Sequence, residues 1–177
     1  MKKLIIMATA ACLILTFSSC SNSDRNDLVG ENISNPSSYM NNENSLFTSV
    51  VSEKGYSIGV NTELFEYNLG EKDVYSAKES SAFLEITLSG GKTVDASLNE
   101  KTNELSNDGY TLTESESIAV GSEFYTARYF TAEKTGQKRE YYLIPFQNEC
   151  LVLVFGFGDN NDHNEALSSM LETLMID

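Results

Sequence analysis

The chain has 177 residues, with 26 Asp and Glu against 12 Lys and Arg, so its formal net charge at pH 7 is −14. Nucleic acids and anionic lipid surfaces are polyanions that attract basic patches, so we expect no nucleic-acid partner and no electrostatic docking on a membrane. The length is sufficient for one domain with a proper hydrophobic core.

The start of the chain has the pattern of a signal peptide. Two lysines precede an apolar run over residues 4–17, and the small residues Ser18 and Ser19 stand directly before Cys20. The run is shorter than the roughly 20 apolar residues of a spanning helix, so a permanent membrane span is the weaker interpretation. The sequence therefore predicts a signal peptide over residues 1–19.

The residues Phe17-Ser18-Ser19-Cys20 resemble the lipobox of bacterial lipoproteins, although Leu is usual where Phe17 stands. The resemblance implies transfer of diacylglycerol to the Cys20 thiol, cleavage before Cys20 and acylation of the new amine. The alternative is a plain signal peptide with a chance cysteine. We expect an extracytoplasmic lipoprotein, anchored to the cell membrane or outer membrane through lipid on Cys20.

Lipidation also accounts for the cysteines. Cys12 would leave with the signal peptide and Cys20 would carry lipid, so Cys150 would remain alone and no disulfide framework could form. An isolated thiol at the start of an apolar run is more often a small buried apolar residue than a nucleophile.

The segment over residues 20–45 is dominated by Asn and Ser, with few apolar side chains. Such a segment cannot bury enough surface to fold, so it predicts a flexible tether between the lipid and a domain over residues 46–177. The alternative is that part of it packs on the domain around Tyr39 and Met40.

The first half of this domain is predicted to be mainly strands. Residues 46–51 and 56–60 have the pattern of a hairpin, residues 73–77 form a weaker strand candidate, and residues 82–88 form a stronger one. Apolar and polar residues alternate in the last of these, which predicts one buried face. Apolar residues then recur at helical spacing over residues 93–108, which predicts the first helix.

The second half is predicted to be hairpins closed by a helix. Strands are expected at residues 110–113, 117–120, 123–132 and 139–146, joined by tight turns that fit antiparallel order. Residues 151–155 are apolar on both faces, which is typical of a strand in the middle of a sheet covered above and below.

A closing helix is expected over residues 163–175. Asp162 is predicted to cap it, with Glu165 reaching back in a capping box. Its apolar stripe, which is typical of a core-facing helix, consists of Ala166, Leu167, Met170, Leu171, Leu174 and Met175.

This order of elements, with the Gly-aromatic strand start Val120-Gly-Ser-Glu-Phe-Tyr-Thr-Ala-Arg-Tyr129, resembles the PsbP-like family. That family is named for a photosystem II accessory subunit, and many bacterial members are lipoproteins of unknown role. The resemblance implies an α+β domain, with an antiparallel sheet of about six strands flanked by helices, and an accessory binding role. It transfers no catalytic residue, and the photosynthetic role is not carried over.

No recognisable catalytic or metal site stands out. The single histidine, His163, is expected to be a solvated cap residue rather than a catalytic base. Asp159, Asn161, Asp162 and Glu165 supply oxygen atoms of the kind that Ca²⁺ binds, but their spacing is not that of an EF-hand and helix capping is the favoured interpretation. We expect no catalytic residue, metal or cofactor.

The one local concentration of positive charge lies on or beside a Tyr-rich hairpin and consists of Arg128, Lys134, Lys138 and Arg139. It could bind an acidic ligand, but cross-strand pairing with Glu140 or Glu123 is the favoured interpretation.

These patterns favour a non-catalytic binding or accessory role with an envelope protein as partner. Three alternatives stay open: a small-ligand or metal-binding extracytoplasmic lipoprotein, an enzyme with an unrecognised site, and a passive structural component.

Overall fold

The computed structural model describes residues 46–177. The predicted signal peptide, the lipid attachment at Cys20 and the predicted tether lie outside the described residues. Neither helix of the described part is long and apolar enough to cross a membrane.

The described residues form eleven strands and two helices. In chain order these are β1 (Thr48–Ser52), β2 (Tyr56–Val60), β3 (Phe65–Asn68), β4 (Asp73–Ala77), β5 (Phe83–Leu88), α1 (Val94–Asn107), β6 (Thr111–Leu112), β7 (Glu116–Val120), β8 (Tyr125–Lys134), β9 (Gln137–Phe146), β10 (Glu149–Gly156), α2 (Asn161–Glu172) and β11 (Met175–Ile176).

The predicted α+β class with an antiparallel sheet is confirmed, because the strand pairs of residues 46–177 are antiparallel. The predicted count of about six strands is too low. The strands form a large sheet of eight, in the order β3-β4-β5-β10-β9-β8-β6 with β7 on β8, and a small sheet of three, β1-β2-β11. Strands β3 and β11 had no predicted counterpart, and β11 has only two residues, too few to show an alternating pattern.

Strand β10 lies in the middle of the large sheet, between β5 and β9, as its two apolar faces predict. Leu151 and Leu153 belong to one hydrophobic cluster, and Cys150 and Val152 belong to the other. Cys150 is a free cysteine and is buried, as predicted.

Each face of the large sheet is covered by different elements. The first cluster joins the large sheet to the small sheet and to α2. The second joins it to α1, through Leu98 and Leu105. Helix α1 begins after Thr93, whose hydroxyl accepts from the Ala96 N–H, and Gly109 follows its end with φ +81°. Gly109 is well placed there because glycine enters the left-handed region at little cost.

Helix α2 begins earlier than predicted. Asn160, not Asp162, is its cap, and Asn160 Oδ1 accepts from the N–H groups of Asp162 at 2.9 Å and His163 at 3.3 Å. The predicted capping box is therefore wrong, because Asn160 already satisfies free N–H groups of the first turn.

The apolar stripe of α2 is confirmed in part. Leu167, Met170 and Leu174 are fully buried. Leu171 is only partly buried, and Met175 lies beyond the helix in β11, with 46 % of its surface exposed. The buried stripe thus continues to Leu174, two residues beyond the end of the helix at Glu172.

Candidate functional site

His163 lies inside the domain rather than in solvent. Its side chain is 3 % exposed, its Nδ1 lies 2.8 Å from Ser80 Oγ, and its ring meets Phe65 edge-on at 5.9 Å. The prediction of a solvated cap residue is wrong, because the helix begins at Asn161 and its first turn directs His163 onto the sheet.

Ser80 and His163 have the chemical types of a nucleophile and a base, but the pair lacks a third member. Among residues 46–177, Ser80 is the side chain to which the imidazole hydrogen-bonds. Ser80 Oγ also accepts from the Ala82 N–H at 3.2 Å. A catalytic triad needs an acid that orients the base, and no carboxylate of the described part has that position. The pair is a buried polar contact between α2 and the β4–β5 connection.

The oxygen-bearing side chains around the start of α2 lie outside the Ser80–His163 contact. Asp159, Asn161, Asp162 and Glu165 are exposed. Within residues 46–177, no group of three or more His, Cys, Asp and Glu side chains is placed to hold a metal ion.

Asp73 is the centre of a buried polar cluster that the sequence did not predict. The residue is 1 % exposed, and its Oδ2 accepts from Ser52 Oγ at 2.5 Å and from the Tyr56 hydroxyl at 2.7 Å. Its Oδ1 accepts from Lys54 Nζ at 2.7 Å and from the Gly70 N–H at 3.0 Å. The only sequence signal was the alternation of side chains along a strand, which puts Asp73, Tyr75 and Ala77 on the same, inward face of β4.

The electrostatics of this cluster favour a charged Asp73 beside neutral tyrosines. Burial raises the pKa of Asp73, but the hydrogen bonds from Lys54, Ser52, Tyr56 and Gly70 together lower it below its ordinary value. Burial raises the pKa of Tyr75 to about 12 and that of Tyr56 further. The cluster is therefore an inward-facing ion pair that joins β4 to the β1–β2 hairpin.

A different arrangement lies on the α1 side of the large sheet, and we call Arg139, Phe83 and Tyr110 the Arg139 cluster. The guanidinium carbon of Arg139 lies 5.8 Å from the centre of the Phe83 ring and 5.7 Å from that of Tyr110. All three side chains are half-buried. Cations at this distance from aromatic faces are attracted by the ring quadrupole.

Tyr141 completes the surroundings of Arg139. Burial raises the pKa of the Tyr141 hydroxyl, and the nearby Arg139 guanidinium opposes that rise. Arg139 thus has two rings and a hydroxyl around it. None of the ion pairs among residues 46–177 includes it.

The expected cross-strand pairing of the basic hairpin with Glu140 or Glu123 is not found among residues 46–177. Lys138 pairs with Glu140 at 2.8 Å, along the same strand. Arg128 instead contacts Ser115 Oγ at 2.8 Å and Ser117 Oγ at 3.4 Å, and its buried Nε has no hydrogen-bond partner. Cross-strand pairing with Glu140 or Glu123 is therefore wrong for all four basic residues, since the Lys138–Glu140 pair lies within β9.

Lys134 adds a second charge beside the Arg139 cluster. Its Nζ lies 5.4 Å from the Tyr110 ring and donates to the carbonyl oxygen of Asp108 at 2.5 Å. The side chain is exposed and forms no ion pair with the Asp and Glu residues of the described part. Two positive side chains, Lys134 and Arg139, thus lie beside the Tyr110 ring on an acidic chain.

Gly156 makes room for this arrangement. It stands opposite both Phe83 and Arg139 in the sheet register. A Cβ atom added at Gly156 would lie 2.1 Å from Phe83 Cε1, far inside van der Waals contact. The absent side chain lets the Phe83 ring lie over the sheet beside Arg139.

The described residues thus form an α+β domain in which the half-buried Arg139 lies between the rings of Phe83 and Tyr110. No protein-family model and no curated protein matches the sequence of this chain.

Proposed function

We propose that the protein is a lipoprotein anchored outside the cytoplasm through Cys20, and that its domain binds an envelope partner without catalysing a reaction. The signal-peptide pattern and Phe17-Ser18-Ser19-Cys20 support the anchor. One observation supports the binding role most strongly. Arg139 is partly exposed and has no ion-pair partner among residues 46–177, although the chain has 26 acidic residues.

Two further observations favour binding over catalysis. The Asp73 carboxylate is enclosed by its own donors, so it has no free position for a substrate. The Ser80–His163 pair has no orienting acid in the described part of the chain, and its imidazole is buried.

We further propose that the fold is a PsbP-like sandwich. The supporting features are the order of the elements and the antiparallel sheet with α1 on one face and α2 on the other. This proposal concerns architecture and brings no catalytic residue with it.

Small-ligand binding is a second candidate, and a cleft between α1 and β5 favours it. The cleft has a volume of about 160 Å³, and Thr87, Lys92, Ser97 and Lys101 contribute to its lining. Ser97 Oγ is buried there without a hydrogen-bond partner. A small polar molecule with a hydroxyl or carboxylate group would satisfy that oxygen.

The test of the binding role is affinity capture from membranes of cells that produce the full-length protein, after chemical cross-linking. We expect one envelope protein to be enriched, and to capture this chain in the reciprocal experiment. Cys20→Ser is the matched control, because it removes the proposed anchor and leaves the domain unchanged. Absence of reciprocal capture would contradict the binding role, and so would turnover of an ester, phosphate, glycoside or peptide substrate that His163→Gln abolishes.

A further inference from the structure

We propose that the Arg139 cluster recognises a single carboxylate on a protein partner, carried by an Asp or Glu side chain or by a chain end. This inference rests on the proposed binding role and names the chemistry that the partner presents. The partner segment around that carboxylate would be apolar or basic.

The first argument is the state of the guanidinium. Arginine offers a planar fork of N–H donors that matches the two oxygens of a carboxylate. Phe83 and Tyr110 hold this fork at 5.8 and 5.7 Å from their ring centres, so little rotamer freedom remains to be lost on binding. The two rings position Arg139, but they do not neutralise its charge.

The second argument is that a nearby acid is already engaged. Glu85 stands two residues after Phe83 on the same face of β5, and it pairs with Lys72 at 2.9 Å. Glu140, the next residue after Arg139, lies on the other face of the sheet and pairs there with Lys138. Arg139 is therefore left for a carboxylate from outside the described part of the chain.

The third argument concerns the size of the ligand's charge. The chain has a net charge of −14, so its long-range field repels polyanions. That field is screened beyond about 8 Å at physiological ionic strength, whereas a direct arginine–carboxylate contact is not. One carboxylate on a neutral or basic segment meets the local charge of Arg139 and Lys134 and avoids most of the repulsion.

The rings give the reason to expect a protein segment. Phe83 and Tyr110 are half-buried, so parts of both rings stay accessible beside the guanidinium. Apolar side chains that flank a carboxylate in a peptide would bury those parts. A uronic sugar also supplies a carboxylate, and the test below includes it as the competing source.

The experiment is a titration of the purified full-length protein, followed by NMR and calorimetry. The probe is an acetylated and amidated hexapeptide, Leu-Lys-Glu-Leu-Lys-Leu, with the same peptide carrying Gln in place of Glu as the neutral control. We expect the Glu peptide to bind at least about tenfold more tightly, because the arginine fork pairs with its carboxylate. Glucuronate is expected not to displace it.

The protein variants separate the site from general charge. Arg139→Gln should weaken binding of the Glu peptide about tenfold or more, and Arg139→Lys should weaken it less, since lysine keeps the charge but loses the fork. Lys138→Gln is the matched control. Lys138 directly precedes Arg139 in β9, and its positive side chain lies on the other face of the sheet. This variant should bind as the wild type does.

Equal binding of the Glu and Gln peptides, or unchanged binding by Arg139→Gln, would overturn the inference, as would displacement of the peptide by glucuronate. The peptide comparison uses wild-type protein, so it remains decisive even if Arg139→Gln does not fold. If Arg139→Gln folds and still captures the envelope partner, this inference fails while the binding role stands. Failure of the wild-type protein to capture any partner would contradict the proposed function, and this result is separate from the peptide titration.

Discussion

The Tyr56 hydroxyl donates a 2.7 Å hydrogen bond to Asp73 Oδ2, and this contact ties the small sheet to the large one. Lys54, on the same hairpin as Tyr56, pairs with the other oxygen of Asp73 at 2.7 Å. The side chain of Lys54 is 12 % exposed and that of Asp73 is 1 % exposed, so the pair is well removed from water. A buried pair is costly to break, because the remaining charge loses its partner.

Asp73→Asn should therefore destabilise the domain by about 3 to 5 kcal/mol, measured as the free energy of unfolding in urea. The matched control is Glu85→Gln, which removes one acid from the more exposed Lys72–Glu85 pair. Exposed pairs contribute about 0 to 1 kcal/mol. Equal losses in the two variants would contradict the central position that we assign to Asp73.

The same cluster predicts a pH dependence. The pKa of Asp73 is lower in the folded state than its ordinary value of about 4, so the stabilisation is complete above about pH 4. It is lost as the pH falls further, through the folded pKa. Urea unfolding between pH 7 and pH 3 should show the gap between wild type and Asp73→Asn narrowing only below about pH 4. A gap that stays constant throughout would show that Asp73 does not gain its charge-dependent partners on folding.

The Ser80–His163 contact predicts an energetic coupling. Ser80→Ala leaves the buried imidazole without the partner it has at 2.8 Å, which should cost about 1 to 3 kcal/mol. In the presence of His163→Leu the same serine change should cost about 1 kcal/mol less, because the imidazole is gone. The three variants and the wild type form a double-mutant cycle by thermal or urea unfolding. Additive effects would mean that the two side chains do not interact in solution.

Helix α2 provides a graded test of packing. Leu167 is fully buried, and its truncation to Ala should cost about 2 to 5 kcal/mol. Leu171, in the same predicted stripe, is only partly buried against the core, so Leu171→Ala should cost less, about 1 kcal/mol. The melting midpoints of the two variants give the order directly. The reverse order would mean that α2 is rotated about its axis relative to the sheet.

The sequence alone predicted the elements that have a clear period. The apolar stripe of α1 predicts burial of one helix face, and the run in β10, which is apolar on both faces, predicts burial of both. Both elements lie where they were expected. The short β3 was missed because its alternation of aromatic and polar residues extends over only four positions, of which only Phe65 is buried. The α2 cap was misplaced because Asn160 and Asp162 are both good caps and the choice depends on how the chain leaves β10.

The Arg139 cluster shows a different limit of sequence-based prediction. The basic and aromatic hairpin was visible, but Phe83 and Tyr110 reach Arg139 from β5 and from the end of α1. The strand register brings Gly156 opposite Phe83, and no local pattern announces that pairing. Sites assembled from distant strands depend on register, which one sequence does not reveal.

The central claim, a domain held outside the cytoplasm by lipid on Cys20, is tested most directly by mass spectrometry of the N-terminal peptide of protein purified from membranes. We predict a peptide that begins at Cys20 and carries the mass of a diacylglyceryl group, with fatty-acid label that Cys20→Ser removes. A mature chain that begins at another residue, or at an unmodified Cys20, would contradict the account.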